Sequence, residues 1–187
     1  MTKPPLTADK NARTSSDAAR LIVNTGNGRG KSSSAFGIMG RAWARGWNIA
    51  VVQFIKGPDW KTGEQKLGEH LGVTWHTLGD GFTWDSNDIE ASRAQNVRAW
   101  STAHDALTNG AFDLVILDEL TYLLDWGWLD VDVVVHALME RSDRTHVVIT
   151  GRAAPDALLA IADTVTVMES PKHAFDAGIL AKKGIEY

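Results

Sequence analysis

A glycine-rich segment, Thr-Gly-Asn-Gly-Arg-Gly-Lys-Ser at residues 25–32, lies between an apolar run and a segment of helical period, and few folds accommodate that order of elements. Glycines let successive backbone N–H groups turn toward a polyphosphate, and the start of the helix adds a favourable field. Lys31 would neutralise phosphate charge, and the Ser32 hydroxyl can bind Mg²⁺. The coincidence of strand, loop and helix predicts a P-loop rather than a chance glycine-rich turn. The residues that we expect to bind the nucleotide here are Gly26, Asn27, Gly28, Arg29, Gly30, Lys31, Ser32 and Ser33.

From residue 21 onward, apolar runs of strand length alternate with segments of helical period, which is typical of a parallel sheet with crossover helices. Several runs are apolar at consecutive positions, so both faces of the sheet should be covered. We therefore expect an α/β three-layer sandwich with a mainly parallel sheet. Apolar helical stripes at 35–43 and 131–139 should face the core, and a longer helix should lie between Asn87 and Gly110. The predicted strands span residues 21–24, 48–55, 73–76, 113–118, 146–150 and 164–168.

The composition limits the possible functions. The 187 residues suit one domain, and the formal net charge of -4 argues against a protein that coats nucleic acid or an anionic membrane. The absence of cysteine excludes a disulfide framework, a thiolate metal site and a thiol redox relay within the chain. No apolar stretch approaches the roughly 18 residues of a membrane span, so we expect a cytoplasmic protein without a membrane anchor. Residues 1–20 are polar and should form a flexible arm, either frayed or docked on a partner subunit, beside a domain at 21–187.

Further candidate residues follow predicted strands, at the edge where parallel sheets bind ligands. Asp118 and Glu119 end the fourth strand and, beside a P-loop, would form the acidic side of an Mg²⁺ site. Their spacing leaves open which of them contacts the ion. Arg152 follows the fifth strand and is either a phosphate clamp or part of a surface ion pair. Phe82 and Trp84 suit either a bulky planar second substrate or a small satellite core.

Two other segments, 56–60 and 121–122, should be loops at the same edge. Among the eight tryptophans, Trp43 and Trp100 are expected in the core, whereas the stretches around 60 and 126–128 leave their role open. The residues by themselves predict an Mg-ATP-binding α/β domain with an aromatic second site. They leave open whether the chain transfers the γ-phosphoryl group, promotes another attack on ATP, or only binds its ligands.

The order of motifs along the chain resembles one family. The resemblance covers residues 21–187 and identifies the chain as similar to the ATP:corrinoid adenosyltransferases of the CobA/BtuR type. It implies a RecA-like P-loop fold, a homodimer, and transfer of the 5'-deoxyadenosyl group of ATP to the Co(I) of cobalamin or of a precursor such as cobyrinic acid a,c-diamide, with release of triphosphate. Whether biosynthesis or salvage is the task stays open. The motifs are Thr-Gly-Asn-Gly-Arg-Gly-Lys-Ser-Ser at 25–33, Val-Val-Gln-Phe-Ile-Lys-Gly at 51–57, Gly-Phe-Thr-Trp at 81–84, Leu-Asp-Glu-Leu-Thr-Tyr at 117–122, Ile-Thr-Gly-Arg at 149–152 and Lys-His-Ala-Phe-Asp-Ala-Gly-Ile at 172–179.

The resemblance also assigns roles on the nucleotide side. Lys31 would contact phosphate oxygens, and Ser32 and Glu119 would bind Mg²⁺ or Mn²⁺. Arg41 matches an arginine of the family's nucleotide site. Thr25 stands where the usual P-loop has glycine, and this departure fits the reversed ATP that the family binds.

On the corrinoid side, the resemblance makes Phe82 and Trp84 catalytic. In the family, these aromatic residues occupy the lower face of the corrin ring and displace the axial ligand, so that a biological donor can reduce the cobalt to Co(I). Since the chain has no cysteine, the electrons would come from an external donor such as reduced flavin or a flavoprotein.

Overall fold

The computed structural model describes residues 18–57, 62–79 and 89–185, which contain a sheet of six parallel strands. The strands are β1 (Leu21–Thr25), β2 (Ile49–Gln53), β3 (Thr74–Thr77), β4 (Leu114–Asp118), β5 (His146–Thr150) and β6 (Thr164–Val167). Their order across the sheet is β3-β2-β4-β5-β1-β6, and each pair of neighbours is parallel. Only β5 separates β1, which leads into the glycine-rich loop, from β4, which ends in the carboxylates. Both features therefore lie at the carboxyl edge of the sheet.

Helices cover both faces of the sheet. On one face, Phe36 and Met39 of the first helix pack against Val51 and Ile116. On the other face, a larger core includes Trp100 and other apolar residues from the remaining long helices. This arrangement confirms the predicted three-layer α/β sandwich. The helices are α1 (Lys31–Trp43), α2 (Gly63–His70), α3 (Ile89–Thr108), α4 (Leu120–Asp125), α5 (Val131–Met139) and α6 (Asp156–Ile161).

The apolar patterns located the strands well, because each predicted strand is present with its ends within two residues of the expected positions. The expected helix at 131–139 is α5, and the stripe at 35–43 lies in α1. Trp100 is buried as predicted. Asn87, the expected start of the long helix, lies outside the described residues. The backbone N–H of Arg20, the last residue of the predicted arm, donates to His146 Nδ1 at 3.1 Å.

Three local expectations were wrong. Trp43 is 47% exposed rather than in the core, because it ends α1 and donates its indole N–H to the carbonyl of Leu71 at 3.0 Å. Met139 ends α5 and is also exposed. Thr121 and Tyr122 belong to α4 instead of a loop, since a helix this short cannot show a full amphipathic stripe in the sequence. Within the described ranges, no helix has both the length and the apolar character needed to cross a membrane.

Candidate active site

The glycine-rich loop and the carboxyl ends of β2, β4 and β5 enclose a cavity of about 370 Å³. Most of the residues that the sequence predicted for nucleotide binding line it. These are Asn27, Gly28, Arg29, Gly30, Lys31, Ser32, Ser33, Glu119 and Arg152. The cavity also contains residues to which the sequence analysis gave no role, namely Ile55, Lys56, Thr62, Glu64, Tyr122, His173 and Ile185.

The loop has a backbone shape that only glycine accommodates without strain. Gly26 and Gly30 have φ angles of 95° and 101°, in the left-handed region. Gly28 lies so close to the segment after β6 that a Cβ atom on it would be 2.2 Å from the carbonyl oxygen of Glu169. Its N–H donates to the carbonyl of Met168 at 2.7 Å. The glycines thus hold the loop against the end of β6 and leave its other side open to the cavity.

Lys31 begins α1 and folds back over the loop. Its ammonium donates to the carbonyl oxygens of Gly26 at 2.8 Å and Gly28 at 2.6 Å. Burial and the nearby charge of Arg152 lower the pKa of Lys31, against the opposing effect of Glu119. Loop carbonyls therefore hold the cation at the mouth of the loop, where an incoming phosphate oxygen can replace them.

Asp118 is fully buried at the end of β4 and has a complete set of donors. Lys56 Nζ and Gln53 Nε2 donate to Oδ2 at 2.9 and 3.0 Å, and the Thr150 hydroxyl donates to Oδ1 at 2.8 Å. The Ser32 hydroxyl also donates to this carboxylate. Burial alone would raise the pKa of Asp118, but the charge of Lys56 and these hydrogen bonds outweigh it and lower the pKa.

Glu119, the next residue, faces the cavity instead. Its φ of 65° is left-handed, which is uncommon for a residue other than glycine, and its N–H donates to the Thr150 hydroxyl at 2.9 Å. Burial raises the pKa of Glu119 to about 7, with Asp118 adding to the rise and Lys56 opposing it. The two adjacent carboxyl groups therefore have different environments, one paired and hidden, the other directed into the cavity.

Arg152 is carried to the cavity by a tight turn after β5. The preceding residue, Gly151, has a φ of 140°, and a Cβ atom there would lie 2.1 Å from the hydroxyl of Thr121. That hydroxyl donates to the backbone carbonyl of Arg152 at 2.5 Å. The turn leaves the guanidinium group on the cavity side, near Lys31.

The structure does not gather every predicted site residue. Neither Gly26 nor Arg41 lines the cavity, and Arg41 is exposed near the end of α1. Phe82 and Trp84 lie outside the described residues. Lys56 was the main omission, and its signal in the sequence was a lysine placed directly after a buried strand, at the same edge as the P-loop.

Among the oxygen atoms that line the cavity and could hold Mg²⁺ are the hydroxyl of Ser32 and the carboxylates of Glu119 and Glu64. The portion of the chain that the structure describes contains no group of three or more His, Cys, Asp or Glu side chains that could hold a metal ion. Mg²⁺ keeps several waters and is usually bound by one or two carboxylates together with substrate phosphates. The hydroxyl of Ser32 and the carboxylate of Glu119, the pair that the family resemblance implies, therefore fit a cation that is completed by a bound nucleotide.

Fold and site together define a P-loop nucleotide-binding protein with an acidic strand end opposite its phosphate loop. The model of the family described as "ATP:corrinoid adenosyltransferase BtuR/CobO/CobP" matches residues 17–187. The chain belongs to this family. The predicted class of enzyme, an adenosyltransferase that uses ATP and a corrinoid, is thereby confirmed.

Curated relatives agree with this assignment. The "Corrinoid adenosyltransferase" of Pseudomonas aeruginosa is 42% identical over 187 residues, which cover 99% of this chain and 92% of the relative. That of Escherichia coli K12 is 44% identical over 89% of this chain and 85% of the relative. "Corrinoid adenosyltransferase CobA" of Salmonella typhimurium is 43% identical with the same coverage. A solved structure of domain III of the Thermotoga maritima replication initiation protein DnaA has a TM-score of 0.41 and 12% identity, over 83% of this chain and 56% of its own, which is too low to support a conclusion.

Proposed function

We propose that this chain transfers the 5'-deoxyadenosyl group of ATP to the Co(I) of a corrinoid and releases triphosphate. The observation that supports it is that one cavity is lined by Lys31 and Ser32 of the P-loop together with Glu119 and Arg152. In this proposal, the triphosphate binds along residues 26–33. Arg41 does not line the cavity, and its role at the nucleotide is proposed on the family resemblance alone.

The chemistry needs no general base. The electron pair of Co(I) attacks C5', the cobalt–carbon bond forms, and the bond between C5' and its phosphate oxygen breaks with its electron pair on the leaving triphosphate. The chain contributes placement of the two reactants and stabilisation of the departing charge by Lys31 and Arg152. When bound by Ser32 and Glu119, Mg²⁺ would supply further neutralisation of phosphate charge.

A product analysis tests the proposed function. We expect the chain, given ATP, Mg²⁺ and chemically reduced cobalamin, to produce the adenosylcobalamin spectrum and free triphosphate. Formation of ADP or orthophosphate as the only nucleotide-derived product would instead indicate a kinase or an ATPase. Tight binding of both substrates without turnover would contradict the proposed enzymatic activity and would indicate a non-catalytic carrier of corrinoid or nucleotide.

The corrinoid side of the proposal concerns Phe82 and Trp84, which we propose displace the lower axial ligand and so ease reduction to Co(I). Phe82→Ala and Trp84→Ala should reduce the rate strongly when a reduced flavin or flavoprotein must generate Co(I), and much less when Co(I) is supplied chemically. Equal losses in the two assays would reject the axial-ligand role. The matched control is Trp43→Ala, an exposed tryptophan at the end of α1, which should lose little in either assay.

Because the reaction uses ATP and an electron donor that is separate from the chain, we propose that it takes place in the cytoplasm.

We further propose a homodimer in which the arm at residues 1–20 belongs to the active-site region of the partner, as the family resemblance implies. Sedimentation of the full chain and of a chain beginning at residue 18, each assayed for adenosyl transfer, tests both the dimer and the arm.

A further inference from the structure

Asp118 is a carboxylate beside the proposed metal site that the proposed chemistry does not use. It is fully buried and does not line the cavity, although the adjacent Glu119 does. Its oxygens accept hydrogen bonds from Lys56, Gln53, Thr150 and Ser32. An acidic residue so placed could serve as a second carboxylate ligand for a divalent cation, and the donors around it prevent this.

Among these donors, Lys56 alone carries a charge, and like Ser32 it lines the cavity. Its side chain is 19% exposed, lines the cavity, and places its ammonium 2.9 Å from Oδ2 of Asp118. The charges of Asp118 and Glu119 raise the pKa of Lys56 despite its burial. Lys56 is therefore a cation that both pairs with the hidden carboxylate and lines the cavity in which we propose that the metal ion binds.

The other donor to the same oxygen is fixed and neutral. Gln53 is buried, and its Oε1 accepts hydrogen bonds from Trp75 Nε1 at 3.0 Å and from the Thr77 hydroxyl at 3.3 Å. Its Nε2 must then point to Asp118. Gln53 holds the carboxylate in place, but it cannot balance the carboxylate's charge or repel a cation if Lys56 is removed.

We propose that Lys56 keeps Asp118 out of the metal's coordination and thereby makes metal binding depend on the nucleotide. With Lys56 in place, a divalent cation binds Glu119 and Ser32 against the repulsion of the ammonium group, with Glu64 also on the cavity wall, and the phosphates of ATP must supply the remaining oxygens. Without Lys56, the Asp118 carboxylate is added to that of Glu119, and the site holds a cation before ATP arrives. Lys56 is thus a positioning residue. The inference rests on the proposed function, since it takes the cavity to be a site for metal and ATP.

The test is the affinity of the nucleotide-free full chain for Mn²⁺, measured from the electron paramagnetic resonance signal of the free ion. Lys56→Met should bind Mn²⁺ roughly 10- to 100-fold more tightly than the unmodified chain, the range typical of changes to residues that support metal ligands. Lys56→Arg, which keeps the charge, should not. The double variant Lys56→Met with Asp118→Asn should lose the gain, because the second carboxylate is gone.

Two results would overturn the inference. One is a folded Lys56→Met chain that binds Mn²⁺ no more tightly than the unmodified chain, and the other is a double variant that keeps the full gain. Because Lys56→Met leaves a buried carboxylate without its counter-ion, circular dichroism must show that it folds. If Lys56→Met does not fold, Lys56→Gln takes its place in the test. Glutamine retains a hydrogen-bond donor but no charge, so we expect the same gain in Mn²⁺ affinity.

A second measurement separates this inference from the proposed function. Adding a non-hydrolysable ATP analogue should raise Mn²⁺ affinity strongly in the unmodified chain and much less in Lys56→Met. Neither titration involves a corrinoid or turnover, so failure of adenosyl transfer would not alter them. Conversely, if the enzyme is active and its Mn²⁺ affinity does not change when Lys56 is replaced by methionine, the inference is refuted and the proposed function is unaffected.

Discussion

Replacing Glu119 by glutamine should stabilise the chain, and by a larger amount at pH 8 than at pH 5. Burial raises the pKa of Glu119 from 4.5 to about 7. When the pKa of a carboxyl group is higher in the folded chain than in the unfolded chain, ionisation of the group lowers the free energy of unfolding. This cost is absent at a pH below both pKa values. The cost develops as the pH rises through the interval between them and is constant above it. Glutamine has nearly the same shape and no charge, so it avoids this cost.

The magnitude follows from the two pKa values. At about 1.4 kcal/mol per pKa unit, the rise from 4.5 to about 7 corresponds to about 3 kcal/mol at high pH. Part of this cost is already present at pH 5, so the free energy of unfolding gained by Glu119→Gln should grow by about 2–3 kcal/mol between pH 5 and pH 8. The left-handed backbone at this residue is present in both chains, and any strain there cancels in the comparison.

Urea denaturation of both chains at pH 5, 6, 7 and 8, without nucleotide or divalent cation, measures this difference. Glu69→Gln removes a carboxylate from the exposed surface of α2 and controls for the loss of one negative charge from the chain. The reasoning is refuted if the gain from Glu119→Gln is independent of pH or decreases as the pH rises. Addition of Mg²⁺ with an ATP analogue should reverse the order of stabilities, because the charged carboxylate of the glutamate binds the cation more strongly than the neutral amide of glutamine.

Two further predictions concern the phosphate side of the cavity. Lys31→Ala should weaken binding of a non-hydrolysable ATP analogue by about 10- to 100-fold in calorimetry, since hydrogen bonds to charged groups contribute about 1.5–3 kcal/mol each; unchanged affinity would reject its phosphate role. Gly151→Ala should lower the free energy of unfolding by about 1–3 kcal/mol and weaken the same binding, because its new Cβ atom would clash with the Thr121 hydroxyl. Gly37→Ala, with open space in α1, should instead stabilise by up to about 1 kcal/mol, and equal losses in the two variants would contradict the steric explanation.

The strands and the phosphate loop could be predicted from the sequence because each is encoded locally. Consecutive apolar residues such as those at 114–117 are buried on both faces of the sheet, and the glycines at 26 and 30 occupy left-handed positions. The short helix α4 was missed for the opposite reason. Its six residues are covered by the core on most sides, so their apolar character shows no helical period.

The partners of the carboxylates could not be predicted in the same way. Gln53 reaches Asp118 from β2, Lys56 from the segment that follows β2, and Thr150 from β5. Lys56 is 62 residues from Asp118 in the chain, and Thr150 is 32 residues from it. Which strand is adjacent to β4 is a property of the sheet order, and no local pattern states it. The sequence therefore placed two carboxylates at the correct edge and left open which of them would face the ligand.

Thr150 resolves that choice. Its hydroxyl donates to Oδ1 of Asp118 and accepts the N–H of Glu119, so one side chain of β5 binds both residues at the end of β4. The bond to Oδ1 helps to hold the Asp118 carboxylate in the interior. The bond from the N–H of Glu119 supports the left-handed backbone of that residue, where the strand ends and the Glu119 side chain faces the cavity. An extended residue at that point would continue the alternation of β4. The different environments of the Asp118 and Glu119 carboxylates thus depend on Thr150, and therefore on the position of β5 between β1 and β4 in the sheet.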